Sequence, residues 1–505
     1  MENIEYSGYW WLPSEPDKKI AGTLTFTNDE GIKLRLIGSL HNFSLLKKTI
    51  NVPILLGVVH ENIITLCGCT NYSSKTSFPG FSSQEYTSEL ALIGRHFTNP
   101  DKLLFNKARI QYSCLSDWAN LPVIRQEPEL PYQEKEKELK FIYTRPETIE
   151  ATTTYGKFSL NYGYSERNFI NIYFKQYASL IIQTNEELSF TDFRSKFIHP
   201  LNNFFTFATD RTNSITELEF YSRHGDVDIV NSRYSLDEIP IQAIYKTYYP
   251  EIKKPDRLLV EPEMLFSVSD IQSDFSLILQ KWFNSFEELD SVFNLFFSVR
   301  YKPDIYLENQ FLNLIQAAES YHRRRINNQI LSDDEHEKRQ KAVLDNVPDE
   351  YKKWLKEKLQ FSNEPGLKKR LIDLFELMPE ITNQLIKDKE SFATKVKNAR
   401  NYFTHYNESL KKKAPQPKEL YLLIESLSFI LQACLLKELG CTPDRCHQLL
   451  NRNDRYKNAV ERAIEPKTDM GKKLQEIRLQ IPSERKLLTK DEIEKEIAES
   501  RGERL

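Results

Sequence analysis

The sequence predicts an α+β multidomain protein, with a β-rich N-terminal half followed by an all-α helical bundle. Three observations carry this. The chain has 505 residues, too many for one ordinary domain. Through the first half, short apolar runs alternate with polar residues between turn signals, which is the period of strands. From about residue 270 the apolar residues recur every three or four positions and keep doing so, which is the period of helices.

In chain order, Gly22–Thr27, Ile32–Ile37 and Ile63–Leu66 read as strands, with turns at Asn28–Gly31, Pro53 and Pro79-Gly80. Ser88–Ile93 and Ala108–Ser113 continue the pattern. Trp10 and Trp11 are adjacent, so on a strand only one of them enters a given core. Glu127–Glu138 is rich in Pro, Glu and Lys and reads as a loop between two β-rich pieces. The second piece holds Phe158–Tyr162, Phe169–Tyr173 and Ala178–Ile182 as strands. One helix interrupts it. Ser189 is its expected N-cap, and Phe190, Phe193, Phe197, Leu201 and Phe204 form its apolar face.

The helical half then comprises Phe275–Val299, Tyr306–Asn327, Lys341–Leu359, Leu367–Leu377, Asp388–Asn407 and Pro417–Leu439. Gly440 sits where a helix end favours glycine. A stretch at Leu488 reads as a capped terminal helix or a solvated tail. The expected division is a β-rich domain over 1–126 and a second β-rich segment with one amphipathic helix over 127–265. A helical bundle follows over 266–450, then a charged tail, helical or partly disordered, over 451–505. No internal repeat is visible.

Composition narrows the function. Lys and Arg number 69 against 72 Asp and Glu, so no global basic field coats the protein and any polyanion site must be local. Gly is scarce, 15 residues in all, and the glycine-rich phosphate loops of dinucleotide and P-loop enzymes are missing. So are the zincin and α/β-hydrolase signatures. Six Cys without paired C-x-x-C spacing suit reduced thiols in a cytosolic protein and no metal site. The first residues carry two Glu and no apolar signal core. The most apolar run, Tyr421–Leu436, is interrupted by Glu425, Ser426, Ser428 and Gln432, so a cytoplasmic protein without a membrane span is expected.

The stretch Ser391–Asn407 is the most informative for chemistry. Phe392, Val396, Ala399 and Phe403 make an apolar stripe, and Lys395, Lys397, Arg400, Asn401 and His405 lie off its centre. Metal-free RNA cleavage needs such side chains. A His can move protons near neutral pH, and an Arg holds a phosphate through a planar fork that stays charged. R-x4-H alone is a weak pattern. Arg194 to His199 also fits it and Arg35 to His41 nearly does; both are read as chance, and Arg400 with His405 can also be a surface pair.

Three features together resemble the HEPN superfamily of helical-bundle ribonucleases, in particular the Apea-like HEPN proteins of bacterial anti-phage defence. The first is Arg400-Asn-Tyr-Phe-Thr-His405, which matches R-x4-6-H with a polar residue after the Arg. The second is the helix Phe311–Arg324 with Glu319, which looks like the first helix of that bundle. The third is Gly8-Tyr-Trp-Trp-Leu-Pro13, followed by Gly22-Thr-Leu and Gly31-Ile-Lys-Leu, which resembles the β-rich ApeA-type domain found ahead of this HEPN type. The likeness reaches to about residue 450.

The resemblance implies a metal-independent endoribonuclease without cofactor, often dimeric and toxic during infection. RNA is the implied partner, with tRNA anticodon loops a frequent target of the superfamily, and the β-rich part would sense a phage-derived activator or restrain the nuclease. Arg400 and His405 are the implied catalytic pair, with Asn401 beside them and Glu319 orienting one of the two. His322, Arg323, Arg324, Lys395, Lys397, Lys411 and Lys412, with Arg325 and Lys413, are candidate RNA contacts.

On an ideal helix, five residues turn through about 140°, so Arg400 and His405 do not share a face, whereas Asn401 and His405 do. Either the helix distorts near Thr404 or a second chain completes the site. Two other readings remain at this point. One is a non-catalytic helical module that binds RNA or protein. The other is a β-rich ligand-binding protein with a helical dimerisation region.

Overall fold

The computed structural model describes residues 3–463, apart from 42–49, 61, 76, 78, 122–123, 128–139, 168–172, 227–234, 248–257 and 407. The expected strand over Phe169–Tyr173 lies outside them except for Tyr173. Residues 128–138 of the expected loop, Asn407 and everything from 464, including the Leu488 helix, also lie outside.

Six antiparallel strands close on themselves. They are β1 (Ile4–Trp11), β2 (Ile20–Thr27), β3 (Gly31–Ile37), β4 (Asn51–Val59), β5 (Asn62–Lys75) and β6 (Ser83–Ser88). Hydrogen bonding runs β5-β4-β1-β2-β3-β6 and back to β5, which makes a barrel. Closure leaves no unpaired edge between these strands. Alternation decides what fills it. Trp10, Leu24, Phe26, Leu34, Leu36, Leu55 and Tyr86 point inward, while Trp11 joins Ile54 and Leu56 outside. Gly57 is required here, because a Cβ would stand 2.3 Å from the Trp10 ring. Pro53 is not a turn: it lies within β4, exposed, and the register with β5 skips it because it has no N–H to give.

β5 also belongs to an open sheet. The expected strand Ser88–Ile93 is two elements, because the chain leaves the barrel at Glu89 and resumes as β7 (Leu90–Ile93) beside β5. The sheet continues with β8 (Leu104–Tyr112), β11 (Ile149–Thr153), β12 (Gly156–Arg167), β13 (Tyr173–Ser189), β14 (Ile215–Tyr221) and β15 (Ile241–Ile244), in the order β11-β12-β13-β8-β14-β15-β7-β5. β9 (Ile124–Glu127) and β10 (Lys140–Tyr143) form a separate ribbon. β8 pairs with both β13 and β14, and β7 pairs with β15. The two β-rich pieces expected either side of residue 126 therefore share one sheet.

Ser189 caps the interrupting helix by accepting from the Asp192 N–H at 3.1 Å. The helix is not regular: Arg194–Ile198 is a π-turn before α1 (His199–Thr209). Pro200 explains it, since proline has no N–H and its ring clashes with the carbonyl four residues back.

The helical half begins with α2 (Phe275–Glu288) and α3 (Asp290–Tyr301). The continuous helix expected over Phe275–Val299 is broken at buried Leu289, which leaves helical geometry between the two, and Asp290 opens the next helix with its carboxylate accepting from the Ser291 N–H. Then come α4 (Leu307–Arg325), α5 (Asp333–Asp345), α6 (Asp349–Leu359), α7 (Leu367–Leu377), α8 (Pro379–Leu385), α9 (Lys389–His405), α10 (Pro417–Glu438), α11 (Pro443–Arg452) and α12 (Asp454–Ala463). Lys341–Leu359 is likewise two helices, because Pro348 starts the second. Neither α5 nor α6 contains a buried residue.

One apolar core runs from the open sheet into the bundle. Phe283 of α2 stacks on Phe158 of β12 at 5.4 Å, and Trp282 lies between Phe204 and Phe207 of α1. α10 is long and apolar enough to cross a bilayer, yet it is a buried core helix packed along α4. Its buried polar interruptions find partners: Glu425 takes a fork from Arg462, and Gln432 donates to Asp210 at 2.9 Å, although the Gln432 Oε1 accepts from no group among the described residues. Gly440 ends it at φ +88°, as glycine allows. The bundle runs past residue 450. Tyr456 of α12 is fully buried and donates to the Ile381 carbonyl, so the first residues of the expected tail are core.

Candidate active site

α9 is fixed at both ends. Asp388 accepts from the Ser391 N–H at 2.9 Å and caps the start. Ala393, Val396, Ala399 and Phe403 are buried along one side. Phe392 packs on Phe375 of α7 at 5.7 Å, and Phe403 packs on Phe311 of α4 at 5.9 Å. The helix stops after His405 because Tyr406 turns left-handed, φ +46°, and returns its N–H to the Tyr402 carbonyl. That conformation costs a non-glycine residue about 1–2 kcal/mol. The Tyr406 ring rests on Tyr402 at 5.6 Å.

The motif residues occupy the outward side of this helix. Arg400 is half-buried, its guanidinium meets only the Asn401 Oδ1 at 3.4 Å, and it pairs with no carboxylate among the described residues. His405 is exposed, and its ring has no hydrogen-bond or ion-pair partner among them. Thr404 Oγ1 donates back to the Arg400 carbonyl at 2.7 Å, yet α-helical geometry continues through His405. The expected distortion near Thr404 is therefore not found. Arg400 and His405 diverge by about 140° and lie about 7.5 Å apart along the axis, with Asn401 on the arc between them.

The other candidates divide. His322 is fully buried, so it cannot touch a substrate, contrary to expectation. Arg370 donates to its Nδ1 at 3.2 Å, which leaves Nε2 to carry the proton and donate to Asp373 at 3.0 Å. Burial holds its pKa below the ordinary value. Glu319 makes no hydrogen bond or ion pair with Arg400 or His405; its charge acts on Arg370 of this same α4–α7 cluster.

The arginine run does not form a free phosphate rim either. Arg323 pairs with Glu364 at 2.7 Å, Arg324 with Asp290 at 3.0 Å, and Arg325 with Glu288 and Glu438. Lys395 is bound to Glu419 at 2.7 Å and Lys411 to Glu408 at 3.3 Å. Lys397, Lys412 and Lys413 are exposed and make no ion pair among the described residues. The two stray spacings stay in the β-rich half. Arg35 meets Glu85 at 3.7 Å, and His199 packs against Phe286, its pKa lowered by burial and then by Arg194.

Sequence reasoning missed Tyr402 and Tyr406, although tyrosines four apart on either side of the motif's end were visible. It also missed Arg370, whose role depends on α4. Among the described residues no three His, Cys, Asp or Glu side chains are grouped to hold a metal ion. All six cysteines are buried free thiols.

Comparison with known proteins follows the same division as the structure. A family model described as ApeA N-terminal domain 1 matches residues 5–282, from the barrel through most of α2. A second, described as Apea-like HEPN, matches 312–445, from α4 to the start of α11 and with the Arg400–His405 motif inside it. No curated protein and no solved structure matches the chain. The first match alone spans more than half the chain, and the second adds the bundle that carries an outward-facing Arg and His on one helix. The chain belongs to the ApeA family, in which a β-rich domain precedes a HEPN bundle of the ribonuclease type found in anti-phage defence.

Proposed function

We propose that the protein is a metal-independent endoribonuclease that acts as a toxin in abortive infection, in the cytoplasm and as a homodimer. One observation carries the reading: Arg400 and His405 stand on the outward side of one regular helix with no carboxylate partner among the described residues, so both heads are available to RNA. The ribose 2′-hydroxyl attacks the adjacent phosphorus. The 2′-O–P bond forms, the P–O5′ bond breaks, and a 2′,3′-cyclic phosphate and a 5′-hydroxyl result. His405 takes the 2′ proton and an imidazolium protonates the leaving oxygen. Arg400 balances the charge that builds on the phosphate, and Asn401 lies where it can hold the same group.

The divergence of about 140° supports a composite site in which Arg400 of one protomer serves a phosphate beside His405 of its partner. That one His405 then serves as base and, once protonated, as acid. Exposed Lys397 and Lys412 attract the RNA backbone, and tRNA is the first substrate to try. The β-rich half senses a phage-derived activator or restrains the nuclease. Its shared core with the bundle supports coupling between the two.

The test is cleavage of RNA by the purified full chain with and without EDTA, with the ends identified. Cyclic-phosphate ends and EDTA resistance are expected, and 3′-hydroxyl ends or a strict need for Mg²⁺ would refute the mechanism. Mixing Arg400→Ala with His405→Ala chains should restore activity in heterodimers. Mixed dimers that stay dead after verified subunit exchange would rule out the composite site.

A further inference from the structure

A pocket of about 440 Å³ opens beside the C-terminal end of α9. Tyr402 and Phe403, two of the four residues between Arg400 and His405, line it. The contact between Phe311 and Phe403 pins the start of α4 against this end of α9, and that brings Tyr306 to the same rim. Tyr306 is 80% exposed, a large ring held in solvent at the mouth. Phe403 and buried Leu420 make an apolar floor, Glu308 offers a carboxylate, and Lys411 a cation that an incoming phosphate shares with its exposed partner Glu408 at 3.3 Å. The start of α10 closes the far side. Gln416 caps it without a side-chain bond; Pro417 has no N–H and the Leu420 N–H goes to the Gln416 carbonyl, so the Lys418 and Glu419 N–H groups are the first-turn donors left, beside a Glu419 carboxylate that Lys395 holds.

These features match one nucleotide. A flat apolar face meets tyrosine rings, a base edge with N–H groups meets Glu308, and a phosphate meets Lys411 and the helix start. The volume falls in the range of pockets that hold small ligands, about 300–1,000 Å³. Position adds a constraint. Tyr402 and His405 are three apart and neighbours on the helix surface, whereas Arg400 and Tyr402 are two apart and turn about 200° from one another.

We infer that this pocket receives a nucleobase of the RNA next to the scissile phosphate, stacked on Tyr306 and Tyr402, and that it works with the His405 of its own protomer. The proposal rests on the nuclease reading above and adds to it that base selection and proton transfer come from one protomer, with the Arg400 grip supplied by the other.

The experiment uses the full chain, a cleavable RNA and a fluorescent 2′-O-methyl RNA of mixed sequence, which binds but has no 2′-hydroxyl to attack. Tyr306→Ala should raise KM about tenfold, in the range of losing one base stack, with kcat within about twofold. It should weaken 2′-O-methyl RNA binding by the same factor, and Tyr306→Phe should restore both. Ala414→Trp, which fills the pocket from its loop wall, should block the same binding. If the wild type cleaves RNA but Tyr306→Ala and Ala414→Trp leave KM and binding unchanged, the pocket is overturned and the nuclease stands. If the wild type cleaves nothing, the nuclease reading falls. The binding arm then still decides the pocket: binding lost in both variants supports it, and absent or unchanged binding overturns it.

Discussion

Asp210 is the most consequential single carboxylate of the fold, and replacing it by Asn tests how the two halves are joined. It caps the C-terminus of α1 in a left-handed conformation, φ +51°, and its side chain is 1% exposed. Arg300 of α3, Arg455 of α12 and Gln432 of α10 all donate to it. Burial pushes its carboxyl up, but Arg300 and Arg455 together outweigh burial and hold it below the usual carboxylate range.

The Asp210→Asn substitution would keep the left-handed turn and one acceptor oxygen, so the loss is that of charge. Breaking a buried pair costs about 3–5 kcal/mol. Arg455 is 41% exposed and its share is discounted towards that of a surface pair, which leaves about 3 kcal/mol. With a urea dependence near 3 kcal/mol/M, the midpoint should fall by about 1 M. The assay is urea unfolding followed by tryptophan fluorescence, Trp282 lying between Phe204 and Phe207 near this junction. The sign with pH is fixed as well. A lowered carboxyl contributes fully above its unfolded value, about 3.9, and loses the contribution as pH falls through the folded value. Asp210→Asn should not show that acid loss. An unchanged midpoint would show that desolvation of the cluster cancels its attraction, and would refute the argument.

Three further outcomes are expected. Residues 275–463 expressed alone should aggregate, since Trp282 and Phe283 would lose their cover from α1 and β12; a monodisperse folded bundle on size exclusion would contradict the shared core. His41, His199 and His322 all have lowered pKa values, first through burial. The unfolded chain therefore takes up protons below about pH 6.5 that the folded chain refuses, so the urea midpoint should drop between pH 7.5 and 5.5, with a shallower slope in His322→Gln. Arg400→Ala should slow cleavage by about 10²–10³-fold, Arg400→Lys should recover part of that, and His405→Ala should abolish it. None of the three should move the unfolding midpoint by more than about 0.5 kcal/mol equivalent.

Local patterns were legible and long-range pairings were not. The opposite faces of Trp10 and Trp11, the Ser189 cap, the Gly440 stop and the buried side of α9 all follow from spacing within a few residues. The break at Leu289 is invisible because both flanking helices are apolar and neither Gly nor Pro marks it. The pairing of β8 with β13 and β14 has no local signature, so one sheet read as two pieces. In the site, the position of Arg400 and His405 on the helix was readable from the stripe opposite them. The fate of His322 and of Arg323, Arg324 and Arg325 was not, because it is set by Asp373, Arg370, Glu364, Asp290, Glu288 and Glu438, which come from other helices and loops.

The interleaved strand order imposes a timetable on the growing chain. The six barrel strands are complete by Ser88 and close by pairing with one another, so the barrel can form while the remainder is still being translated, with Ala91, Ile93 and Ile244 added to its core afterwards. β7 and β8 must wait for β13, β14 and β15. Asp210 leaves the ribosome 245 residues before Arg455, so its cluster stays incomplete until the last described helix emerges. The helix bearing Arg400 and His405 packs on α4 and α7, which both precede it, so it can dock as it emerges, after the barrel strands ahead of it and before the Asp210 cluster is complete.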